Sequence, residues 1–146
     1  MESRMKYQGG CHCGNLRIEF ETSLNPAEIE LRACQCTFCR KHGSLAVTDP
    51  AGRLAIRAAH GQNVGHYVFG LRTAEYLICK VCGVYVAALT IGESEPRGIA
   101  IVNCLDDRRQ FTSAPIAVDY DAESRDQRRE RRRSRWTPVT VAPLSH

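Results

Sequence analysis

The sequence predicts an all-β domain followed by a short C-terminal helix, and three observations carry that expectation. Leu16-Arg17-Ile18-Glu19-Phe20-Glu21 alternates apolar and charged residues, as a strand with one face on a core should. Short apolar stretches then recur between turn signals at Asn25-Pro26, Asp49-Pro50-Ala51-Gly52, Gly61-Gln62-Asn63, Gly70 and Glu95-Pro96, a spacing typical of all-β architecture. From Asp121 to Arg135 the chain changes to charged helix formers and contains neither proline nor glycine.

In chain order, strands are expected at residues 16–21, 29–33, 44–48, 54–58, 64–69, 74–78, 84–91 and 98–103. The body is expected to end near 115–118, so residues 1–118 form the domain and 119–146 an Arg-rich helical extension. Trp136-Thr137-Pro138-Val139 is expected to dock back onto the body after the helix at 121–135.

Composition narrows the class further. The chain has 146 residues, 43% hydrophobic and 25% charged, enough for one soluble core and too short for two ordinary domains. The best apolar run, residues 84–91, falls far short of the roughly 20 residues that cross a bilayer. Met1-Glu2-Ser3-Arg4-Met5-Lys6 lacks the apolar segment of a secretory signal. A cytoplasmic, non-membrane protein is therefore expected.

Net charge is +4, but the segment from Arg125 to Arg135 alone sums to +5 and leaves a body near −1. The interleaved Asp126 and Glu130, with Trp136 as the sole nearby aromatic, argue for a solvated helix face over a nucleic-acid patch.

Seven of the eight cysteines fall in three clusters, Cys11-His12-Cys13, Cys34-Gln35-Cys36-Thr37-Phe38-Cys39 and Cys79-Lys80-Val81-Cys82. Reduced cytosolic thiols at such short spacing point to metal in preference to disulfides. In Cys79-x-x-Cys82-Gly83 a tight turn can aim both thiolates at one point. In Cys11-x-Cys13, residues two apart share one side of an extended segment. Soft thiolates select zinc over magnesium or calcium.

Two closed tetrahedral sites need eight ligands, and the clusters supply seven. The natural division gives Cys11, Cys13, Cys79 and Cys82 one closed site, and Cys34, Cys36 and Cys39 a second site with an open position. A closed site is structural, whereas an open one admits substrate. Cys104, in the apolar run 99–104, is expected to pack as a small hydrophobe, with ligation as its alternative. His12 and His42 are the other rival fourth ligands.

Gly10-Cys11-His12-Cys13-Gly14-Asn15-Leu16, Cys34-Gln35-Cys36-Thr37-Phe38-Cys39-Arg40 and Cys79-Lys80-Val81-Cys82-Gly83 together resemble the glutathione-dependent formaldehyde-activating enzyme family, which includes centromere protein V. The resemblance spans about residues 6–118. It implies an Mss4-like, β-tent fold with two zinc ions per chain, one structural at Cys11, Cys13, Cys79 and Cys82, one catalytic at Cys34, Cys36 and Cys39. It also implies a carbon–sulfur lyase joining glutathione, or a similar thiol, to formaldehyde or another small aldehyde. Arg40 and Lys41 follow the trio directly and are candidates for glutathione's carboxylates; their alternative is two exposed loop cations. His42 is a candidate proton shuttle. The segment Cys39-Arg40-Lys41-His42-Gly43-Ser44 is one residue shorter than the family's common form, and Ile78 stands where an aromatic is frequent. A non-enzymatic zinc module for protein or nucleic acid is the rival reading.

Overall fold

The computed structural model describes residues 3–142. Its strands are β1 (Met5–Gly10), β2 (Leu16–Thr22), β3 (Arg32–Cys34), β4 (Ala46–Val47), β5 (Arg53–Ala58), β6 (Val64–Tyr67), β7 (Ala74–Cys79), β8 (Tyr85–Thr90), β9 (Arg97–Ile101), β10 (Ile116–Val118) and β11 (Thr137–Val141). Two helices, α1 (Thr37–His42) and α2 (Arg125–Arg135), complete the regular structure apart from short 3₁₀ turns. This is the all-β, Mss4-like architecture implied above, with its short C-terminal helix.

The strands form two arms. One runs β1-β2-β5, antiparallel throughout. β2 buries Leu16, Ile18 and Phe20 while Arg17, Glu19 and Glu21 stay partly exposed, so the alternation read in the sequence is obeyed. The other arm is the meander β6-β7-β8-β9. β8 is buried along almost its whole length, Tyr85 through Leu89, because it is covered on both faces; this is why its sequence is continuously apolar. β9 shares one edge with β8 and pairs elsewhere with β4 and β11, and β4 leads on to β3 and β10.

β11 lies between the arms, parallel to β5 and antiparallel to β9. The expected docking of residues 136–139 thus takes the form of a hydrogen-bonded strand, and the sheet runs across the boundary expected at 118. Thr137 is fully buried, and its hydroxyl accepts the Asp49 backbone N–H at 2.8 Å. Trp136 packs against Ala74, Tyr85, Ala88, Ile99 and Ile101.

Several elements depart from their expected form. β1 was absent from the predicted strands because only Tyr7 and Gly9 of its six residues turn inward. Residues 29–31 lie outside the short β3, since Glu28 and Ile29 donate backbone bonds back to Asn25 and close a turn there. Residues 40–42, read as loop, belong to α1.

The arginine-rich helix is not simply a solvated face. Ser124 and Gln127 form a reciprocal capping box at its start. Arg132 is buried, bonded to Thr73 Oγ1 at 2.6 Å and stacked over Trp136. Glu93 pairs with Arg129 and Arg133, and Glu123 with Arg128 and Arg131. The acids that balance α2 thus lie outside it as well as within it.

Candidate metal centres

The first cluster is built from two similar turns. Cys11 and Cys13 sit in the turn from β1 to β2, and Cys79 and Cys82 in the turn from β7 to β8. In each, a glycine with positive φ (Gly14 at 86°, Gly83 at 80°) donates its N–H to the carbonyl of the first cysteine, a conformation that L side chains resist. Backbone N–H groups also point at the buried sulfurs: Leu16 at Cys11, and Val81 and Cys82 at Cys79.

All four sulfurs lie within 4.8 Å of one another, with Cys13 Sγ 3.7 Å from Cys11 Sγ and 3.5 Å from Cys79 Sγ. Four thiolates about 2.3 Å from a tetrahedral zinc would stand about 3.8 Å apart. The donor set and spacing therefore fit zinc.

The second cluster gathers Cys34 at the end of β3 with Cys36 and Cys39 at the start of α1, again with sulfurs within 4.8 Å. Cys36 caps the helix, its sulfur accepting the Cys39 N–H at 3.4 Å. α1 ends at Gly43, whose N–H reaches back to Arg40, while Ser44 N–H bonds the Cys39 carbonyl. The short loop therefore closes as a helix cap. The Cys39 thiol hydrogen bond, aided by groups of Cys36 and by Arg131, lowers Cys34 to about 6. The same interaction raises Cys39.

Three sulfurs gather here and no fourth His, Cys, Asp or Glu ligand atom joins them among the described residues. Cys104 stands elsewhere. It donates to the Tyr85 carbonyl at 3.2 Å, and burial, with Cys11 and Cys82 nearby, pushes its thiol up to about 11. His12 is exposed. His42 is also exposed and packs against Phe38, with ring centroids 4.6 Å apart and planes tilted by 50°; it lines a separate small cavity with Ser44, Asn103 and Cys104.

Over the trio opens a cavity of about 600 Å³. Cys34 and Cys36 form part of its floor, Phe38, Tyr67, Phe69 and Tyr76 an aromatic wall, and Arg40 and Lys41 one cationic edge. Phe38 is the hub of that wall, with Tyr67, Phe69, Tyr76 and Tyr85 rings centred 5.0–5.5 Å from it. Burial raises the Tyr76 hydroxyl above its ordinary value, so it remains a proton donor at neutral pH. Sequence reasoning did not gather these aromatics, which are spread over 38–85; the alternate pair Tyr67-x-Phe69 was the available signal. It also left Arg128 and Arg131 outside the site, although both line this cavity.

Among the described residues an eleven-stranded sheet carries one four-sulfur and one three-sulfur cluster, each of which could hold a metal ion. The glutathione-dependent formaldehyde-activating enzyme family matches residues 6–120, and the chain belongs to that family. A crystal structure of a Rhodobacter sphaeroides protein is similar, with 31% identity and a TM-score of 0.59 over 76% of this chain and 99% of that one. No helix among the described residues is long and apolar enough to cross a membrane.

Proposed function

We propose that the chain is a zinc-dependent carbon–sulfur lyase that forms or cleaves adducts of glutathione, or a similar thiol, with formaldehyde or another small aldehyde. The observation that carries this reading is the contrast between the clusters: four gathered sulfurs in one, and three in the other, of which Cys34 and Cys36 line a cavity. In this reading Cys11, Cys13, Cys79 and Cys82 hold a structural zinc, and Cys34, Cys36 and Cys39 a catalytic one. Cys34, Cys36 and Cys39 would hold the zinc, which would lower the pKa of a substrate thiol that reached it.

The remaining work falls to the chain. The Cys39 N–H holds Cys36 Sγ in place, and the fold of α1 keeps the three sulfurs together. Phe38, Tyr67 and Phe69 shelter the reacting carbon from water. The sulfur adds to the aldehyde carbon, the C=O π bond breaks, and the carbonyl oxygen takes a proton from Tyr76, which lines the cavity and recovers its proton through solvent from the one the thiol released. Cleavage reverses each step. Arg40 and Lys41 offer cationic partners to the thiol's carboxylates. Cytoplasmic conditions, which keep thiols reduced, suit both clusters.

Exchange NMR among formaldehyde, glutathione and their adduct tests the reading. The zinc-loaded protein is expected to accelerate exchange over buffer, and Cys36→Ser to return it to the buffer rate. Equal rates in all three samples would reject the activity.

A further inference from the structure

Part of the lining of the cavity comes from the C-terminal segment. Arg128 and Arg131 lie three apart on α2 and line the cavity over the trio, whereas the family match ends at residue 120. Their geometry already recognises a carboxylate. Glu123 accepts from Arg131 Nε at 2.8 Å and Nη2 at 3.0 Å, and from Arg128 Nε at 3.4 Å. Arg128 Nη2 donates to the Tyr120 carbonyl at 2.7 Å, and the Arg131 guanidinium lies 3.5 Å over the Tyr120 ring. Both guanidinium groups are therefore fixed in orientation. Each still has Nη1 uncommitted, since no hydrogen bond among the described residues uses it.

The cavity's charge points the same way. Its lining includes Arg40, Lys41, Arg128 and Arg131 against the carboxylate of Asp121 and the sulfurs of Cys34 and Cys36; Glu123, paired with both arginines, cancels one more charge. Two oriented arginines with unspent N–H groups suit a planar carboxylate, which a fork of donors binds with directional preference.

We propose that Arg128 and Arg131 form a carboxylate subsite, so that this chain selects thiol substrates bearing a carboxylate, with Glu123 as an internal competitor for the same guanidinium groups. The proposal rests on the lyase reading for what enters the cavity. Its test uses binding as well as turnover, so the two can fail separately.

The probes are S-methylglutathione, which has no free thiol, and its dimethyl ester, titrated calorimetrically into the zinc-loaded protein. Arg131→Gln and Arg128→Gln are expected to weaken the free acid about 10- to 100-fold and leave the ester unchanged. Arg131→Lys is expected to fall between wild type and Arg131→Gln. Where turnover is measured, Arg128→Gln raises KM for glutathione by a similar factor while kcat holds. Glu123→Gln is expected to tighten the free acid, an effect opposite to what loss of a merely structural ion pair would give. Arg133→Gln, altered on the same helix at a residue paired with Glu93, is expected to behave as wild type. Equal weakening of acid and ester, no weakening in either arginine variant, or weaker acid binding in Glu123→Gln would overturn the subsite. An acid–ester difference that shrinks in Arg128→Gln and Arg131→Gln, in a protein without lyase turnover, would uphold the subsite and reject the activity.

Discussion

Replacing Trp136 by alanine asks whether the C-terminal segment is part of the core or an appendage to it. The side chain is 5% exposed and packs against Tyr85, Ile99 and Ile101, with Arg132 stacked on its ring. A buried tryptophan removes about 200 Å² from water, worth about 5 kcal/mol at about 25 cal/mol per Å² as an upper bound. Truncations of this kind cost about 3–5 kcal/mol. An unfolding entropy of about 2.1 cal/mol/K per residue, taken over 146 residues, gives about 0.3 kcal/mol/K. The midpoint should therefore fall by about 10–16 °C. Scanning calorimetry at fixed free zinc checks this, because bound metal would otherwise shift both midpoints by mass action. A fall below about 3 °C would refute the placement of Trp136 in the core and, with it, the integration of β11.

Three further outcomes are expected. Cys79→Ser should lower bound zinc from two equivalents to one by elemental analysis and destabilise the chain more than Trp136→Ala, since metal binding at a structural site is folding free energy. Cys104→Ala should retain both zinc equivalents and lose about 0.5–1.5 kcal/mol in urea unfolding, the worth of its bond to the Tyr85 carbonyl; release of one equivalent would make it a ligand. The Arg133 hydrogen bond, together with Arg129, holds the Glu93 carboxyl below its ordinary value of 4.5. A depressed carboxylate contributes stability that is present above its unfolded value and is lost as pH falls through the folded one. Glu93→Gln should therefore be less stable than wild type at pH 7, and the difference should vanish at acid pH; a difference independent of pH would contradict the pairing.

The cysteine clusters were legible because their geometry is local: one or two residues between thiols, with glycine after Cys13 and after Cys82, favour turns that bring sulfurs together. The partition into four and three could be counted before any coordinates. The alternation in β2 and the apolar run of β8 were legible for a similar reason, since period and burial are written in consecutive residues. α1 was not. Thr37-Phe38-Cys39-Arg40-Lys41-His42 has no apolar period, and the helix depends on the Cys36 sulfur cap and the backbone bonds closing at Gly43. β11 pairs with β5 more than eighty residues earlier, and no local pattern encodes that partner. The arginines of α2 looked like a solvated charge run because Glu93, one of the acids that neutralise them, lies in a distant loop. Burial of Arg132 and the recruitment of Arg128 and Arg131 to the cavity follow from where the sheet puts the helix.

The β1-β2-β5 arm is hydrogen-bonded to the meander through β11, and the four-cysteine cluster joins the same two arms at another place, with Cys11 and Cys13 on one and Cys79 and Cys82 on the other. The molecule is thus riveted twice. Either rivet can hold the halves in register while the other is loosened, so chelation and Trp136→Ala should together cost more than the sum of their separate effects. Zinc scarcity would then show itself first in chains whose C-terminal strand is already weakened.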